Sequence, residues 1–163
     1  MKFYPALTYL LIPFAILLGL MNLLSLAFVF VNPSVLIVVF GLTCFVLYSF
    51  SSLRFLNQVV KGGQILTTKF KDWIKVNAYV SLFLCSLFFI NSISILISTN
   101  EVLSGFINEF LEQQSGFPAE ITGKMILSIL KGVSVFLLVT GIIGIVHIRT
   151  TLRLVKRYDY LFE

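Results

Sequence analysis

From Phe3 to Leu53 the chain carries no charged residue. A helix that crosses the hydrocarbon of a bilayer needs only about 20 apolar residues. The run is therefore too long for one crossing and long enough for two. Asn32-Pro33-Ser34 divides it, because Pro33 biases Asn32 away from the helical conformation. Two further charge-free runs follow, Val76 to Asn100 and Gly132 to Ile148. Each spans once, the last with the apolar residues Met125 to Leu130. The pattern predicts an all-α integral membrane protein, one domain over 1–163. Its four transmembrane helices lie near 6–31, 34–55, 72–98 and 125–148 and pack as a bundle. Composition agrees: 12% of residues are charged, against about 25% in an ordinary soluble domain.

A cleaved secretory leader is the competing reading of the first run, with Lys2 before it and Ser25-Leu26-Ala27 as a small-residue site. The apolar stretch is too long for that and continues past the site. Cys44 and Cys85 fall within the second and third spans, so they read as small packing residues rather than a disulfide framework.

Charge sets the orientation. With four spans, ten of the twelve Lys and Arg residues fall on one side with three of the seven acids. Lys124 and Lys131 fall on the other with Glu101, Glu109, Glu112 and Glu120. Lys and Arg are retained on the cytoplasmic side, so both termini are expected there, in a plasma or inner cell membrane. Arg54, Trp73 and Arg153 read as anchors at that interface, the arginines snorkelling to phosphates. Basic residues in short loops beside spans serve topology and attraction to anionic lipid; they do not point to nucleic acid.

Two echoes suggest internal symmetry. Spans two and four both end in two hydroxyls, a leucine and an arginine: Ser51-Ser52-Leu53-Arg54 and Thr150-Thr151-Leu152-Arg153. Spans one and three carry Asn22 with Ser25 and Asn91 with Ser94. The chain reads as two parallel-repeat hairpins related about an axis along the membrane normal, though apolar composition alone also produces coincidences. The repeat brings Asn22 and Asn91 toward one axis, where their amides bond each other or Ser25 and Ser94.

Between spans three and four, Val102, Leu103, Phe106, Ile107, Phe110 and Leu111 follow helical spacing, with Glu101, Ser104, Asn108, Glu109 and Glu112 opposite. This predicts a short amphipathic helix near 101–113 on the outer side, capped by Asn100 and ended by Gly116 and Pro118. Its acidic face disfavours anionic lipid, so it is expected to dock on the protein. Lys131 either snorkels outward or pairs with an acid of this helix, Glu109 being the candidate. Gly62-Gly63 reads as a turn.

Several chemistries lack their residues. A lone histidine, His147, supplies no axial haem pair and no zinc set; beside Arg149 it reads as an interfacial polar residue. The acids within reach of the spans are isolated. The expectation is a membrane assembly, interaction or regulatory protein without catalytic residues, metal or cofactor. Its partners are the lipid bilayer and either other copies or other membrane proteins. A small transporter or channel component for a neutral solute is the alternative, with Asn22 and Asn91 lining the path.

Single cysteines placed in a chain lacking Cys44 and Cys85 check the orientation: position 113 should react with an impermeant maleimide only from outside, and positions 57–71 only from the cytoplasm.

Overall fold

The computed structural model describes residues 3–113 and 122–163. Lys2, Gly116, Pro118 and Glu120 of the preceding section lie outside them. Five α-helices follow in order: α1 Phe3–Val29, α2 Val35–Phe55, α3 Thr68–Ile97, α4 Asn100–Gln113 and α5 Gly123–Arg157. α2 runs on without a break through one wider turn, Leu56–Lys61. The described residues form no strand. All the helices except α4 are long and apolar enough to cross a membrane. This is a multi-pass membrane protein.

Local chemistry sets the ends. Thr67 and Thr122 stand just before α3 and α5, their hydroxyl oxygens accepting from Phe70 N and Met125 N, each at 3.4 Å. Thr99, not Asn100, does this for α4, accepting from Val102 N; Asn100 is already helical and its side chain is engaged elsewhere. α2 stops at Gly62-Gly63. A Cβ on Gly62 would lie 2.8 Å from the Gln58 carbonyl, and Gly63 takes φ +61°, where glycine meets no penalty.

The helices also outrun the predicted spans. α3 starts at Thr68 rather than 72, and α5 continues to Arg157 rather than 148. Lys and Arg are good helix formers, so leaving the hydrocarbon does not end a helix. At 1.5 Å per residue α5 is about 52 Å long, well beyond the roughly 30 Å of hydrocarbon.

Each long helix packs on two others: α1 on α2 and α5, α3 on α2 and α5. α4 lies on α5, burying Leu103 and Ile107. The interior stripe of α1 is Tyr4, Thr8, Leu11, Ala15, Leu18 and Asn22. On α3 it includes Ile74, Ala78, Ser81, Cys85 and Ser92. α3 and α5 come close where α5 has glycine. A Cβ on Gly141 would stand 2.9 Å from the Cys85 carbonyl oxygen, and one on Gly144 2.5 Å from Cys85 Sγ.

Two apolar clusters result. One fills the middle around Leu11, Leu42, Phe45, Tyr48 and Cys85. The other lies at the basic end around Tyr4, Phe55, Val59, Ile74, Val155 and Phe162. There the chain after α5 turns back on the α2–α3 connection. Leu66 N donates to Leu161 O, Glu163 N to Leu66 O and Thr68 N to Glu163 O, at 2.9, 3.0 and 2.9 Å. Phe162 stacks on Phe55 at 6.1 Å. Lys71 Nζ meets Asp159 Oδ1 at 2.9 Å, and that hydrogen bond holds the exposed Asp159 carboxyl below the usual aspartate range.

The glycine contacts give a graded expectation. Gly141→Ala, which presses on backbone, should cost about 1–3 kcal/mol. Gly132→Ala, with nothing within 4 Å, should be neutral or stabilising by up to about 1 kcal/mol. Unfolding in detergent micelles measures both.

Candidate functional site

Five polar side chains meet inside the basic half: Tyr4 and Thr8 from α1, Tyr48 from α2, His147 and Thr151 from α5, all buried. Helical geometry makes this possible, since residues four apart share a face and both Tyr4/Thr8 and His147/Thr151 are so spaced. Thr8 satisfies its own donor in the preceding turn, Thr8 Oγ1 donating to Tyr4 O at 2.9 Å, while the Thr151 hydroxyl, 3.0 Å from His147 O, also faces the Tyr48 oxygen and gives its proton there once Tyr48 donates elsewhere. The Thr8 oxygen is then free only to accept. It lies 2.9 Å from His147 Nε2, so the geometry assigns the ring proton to Nε2. His147 Nδ1 is thereby an acceptor, 2.8 Å from the Tyr48 hydroxyl, which donates to it. The Tyr48 oxygen lies 2.7 Å from Thr151 Oγ1, itself 3.3 Å from the Tyr4 hydroxyl. The Tyr4 ring covers the imidazole, stacked at 5.2 Å with 10° between planes.

Both ring nitrogens of His147 are therefore engaged with uncharged partners, and among the described residues no carboxylate bonds the ring. The knot fastens three helices and leaves neither ring nitrogen of His147 open for a ligand. Among the described residues no three of His, Cys, Asp and Glu gather as a metal ion would require.

A second polar feature lies in the other half. Asn22 Nδ2 donates to Thr43 Oγ1 at 2.8 Å, and Thr43 donates to Val39 O at 2.8 Å. Asn22 Oδ1 is buried without a partner, as is Ser92 Oγ. Asn22 and Thr43 line a groove of about 410 Å³ between α1 and α2, together with Ala15, Gly19 and Val46. Its other walls are apolar.

The structure separates several residues that the sequence reading joined. Asn22 reaches Thr43, and Asn91 is exposed. The physical reason is a register difference of one. The α1 stripe maps onto that of α3 at an offset of 70, which matches Asn22 with Ser92. Asn91 sits one residue, about 100°, off that face. Ser25 and Ser94 bond the carbonyls of Met21 and Ile90 within their own helices. The ion pair of Lys131 with Glu109 does not form: the ammonium bonds Asn100 Oδ1 at the start of α4, and Glu109 lies more than two turns further along that helix. His147 is not an interfacial side chain but wholly buried. At the basic end, Arg54 bonds Gln58 Oε1 at 2.8 Å and lies over the Phe70 ring. Trp73 is half exposed there, and Arg153 is exposed.

Sequence reasoning missed Tyr4, Thr8, Tyr48 and Thr151. A signal existed in the repeated endings: their spacing of 99 is also the spacing of Tyr48 and His147. No protein-family model matches the chain, and neither does any curated protein or solved structure.

Tyr48→Phe removes one hydroxyl and strands His147 Nδ1, so it should cost about 1–2 kcal/mol of unfolding free energy in detergent. Asn22→Leu and Asn91→Leu should combine additively within about 0.5 kcal/mol, whereas Asn22→Leu and Thr43→Val should show coupling beyond it.

Proposed function

We propose that the protein is a non-enzymatic assembly protein of the plasma or inner cell membrane, joining other copies of itself or other membrane proteins. The carrying observation is the α1–α2 groove. Within lipid, helices associate through close packing and interhelical hydrogen bonds rather than through the hydrophobic effect. Gly19 and Asn22 lie on its wall, and the buried Asn22 Oδ1, with no partner among the described residues, reaches a donor on a neighbouring helix by a turn of its side chain. A helix that carries a donor and a small residue fits both.

In this reading the four spans form a bundle of two parallel hairpins, α1 with α2 and α3 with α5, in the same orientation. The common interior stripe of α1 and α3 supports the repeat, and so does the pairing of Tyr48 with His147. The basic end faces the cytoplasm with both termini, and α4 lies outside over α5. The concentration of Lys and Arg at one end supports that orientation. The solute-path alternative rests on the same Asn22 acceptor, with water or a neutral solute in place of a partner helix.

A photoreactive residue at Leu23, on the rim of this groove, tests the proposal in native membranes. Adducts above the mass of one chain are expected, and Asn22→Leu should reduce their yield. Recovery of uncrosslinked single chains alone sinks the assembly reading. Neutral-solute uptake into proteoliposomes, abolished by Asn22→Ala, would favour the alternative instead.

A further inference from the structure

The basic residues of this protein are not alike. Arg54 has Gln58 and Phe70, Lys61 donates to the Tyr9 hydroxyl at 3.0 Å, and Lys71 pairs with Asp159. On α5, Arg149, Arg153, Lys156 and Arg157 are all exposed. Among the described residues none of the four has a hydrogen-bond or ion-pair partner.

Their placement is specific. The core-facing side of α5 here is His147, Ile148, Thr151, Leu154 and Val155. At 100° per residue, Arg149, Arg153 and Lys156 stand opposite it. The same outward strip continues up the helix as Val135, Val139, Ile142 and Val146, all exposed. One face of α5 thus passes from an apolar ridge straight into three unpaired cations, with Arg157 at its edge. Arg149 and Arg153 are about 6 Å apart along the axis, close enough for both to reach one phosphate group. A guanidinium presents paired donors that match phosphate oxygens.

We propose that this strip is a binding site for an anionic phospholipid of the leaflet at the basic end. An acyl chain lies along Val139, Ile142 and Val146, and Arg149 and Arg153 grip the phosphate. Charge complementarity and the unbroken apolar approach select this occupant. A free phosphate has no use for the ridge, and the acidic segment of a soluble partner has none either. The inference does not depend on the α1–α2 groove or on what docks there.

The test uses the full chain, purified in an uncharged detergent and mixed with equal amounts of phosphatidylglycerol and phosphatidylcholine; native mass spectrometry counts the lipids retained. Phosphatidylglycerol should be preferred. Each basic side chain near an anionic surface changes affinity about five-fold, so R149Q/R153Q should lower phosphatidylglycerol affinity about thirty-fold. R149K/R153K should fall between, since charge stays and the fork is lost. Lys61→Gln should change it less than about two-fold, since Lys61 ends the α2 extension and is not on the α5 strip. Inorganic phosphate should not compete at the lipid's own concentration.

Equal retention of the two lipids overturns the proposal. So does an R149Q/R153Q variant within two-fold of the unaltered chain, or a Lys61→Gln loss as large as that of the arginine pair, which would mean diffuse attraction. Loss of an acidic companion protein from the arginine variant, with the lipid preference unchanged, also overturns it. Helical circular dichroism checks that each variant folds; if the double variant does not, R153Q and the lysine pair decide the matter.

Discussion

The bonds from the two ring nitrogens of His147 hold the rest of the molecule in register. Inside hydrocarbon there is no water to take up a polar group, and most hydroxyls here solve this alone by bonding a carbonyl one turn back. Such bonds tie nothing to anything else. His147 is different because its partners lie on other helices, Thr8 on α1 and Tyr48 on α2. α2 and α5 are not neighbours in the packing ring, so the Tyr48 bond reaches across it. Moving any of the three helices along its axis by one residue, about 1.5 Å, would break at least one of these contacts and leave a polar atom in a dry site.

Two solvents impose two kinds of adhesion on the same chain. Past the level of Arg54, Lys75 and Arg149 the helices carry the charge that water favours, and burial of Phe55, Val59, Ile74 and Phe162 there draws on the ordinary hydrophobic effect. Above that level lipid tails are as apolar as leucine, so side chains gain little by touching one another instead. Contact there needs a hydrogen bond or a glycine. The basic half has the histidine knot, and the α3–α5 seam has Gly141 and Gly144. The far half of the α1–α2 seam has the Asn22–Thr43 bond and Gly19 against Val46, with the groove beside them.

Much of this was legible in the residue order, and the losses have identifiable causes. Charge-free runs located the four crossing helices, because the absence of charge is imposed by the solvent itself. They misjudged where helices end, since that depends on propensity and caps such as Thr67 and Thr122. The pairing of Asn22 with Asn91 failed for a subtler reason. Likeness of residue type aligned the two helices at 69, whereas packing aligns them at 70, and one residue turns a side chain from the interior to the surface. The knot itself was nearly invisible. Tyrosine and threonine near a membrane boundary usually mean anchoring or solvation, and only the contact between distant helices turns them inward. Lys131 found an amide rather than a carboxylate, bonding Asn100 Oδ1 at the start of α4.

The clasp at the basic end has a consequence in time. Leu66 exchanges its backbone bonds with Leu161 and Glu163, which the ribosome adds almost a hundred residues later. At about 5–20 residues per second, that is a delay of roughly 5–20 s. Throughout it the α2–α3 connection must wait with its N–H and C=O groups unclaimed. It waits outside the hydrocarbon, where water can serve those groups meanwhile. The first three crossings can therefore be inserted without this connection being finished, and its closure becomes a late event in biogenesis, reporting that α5 has been made and has arrived.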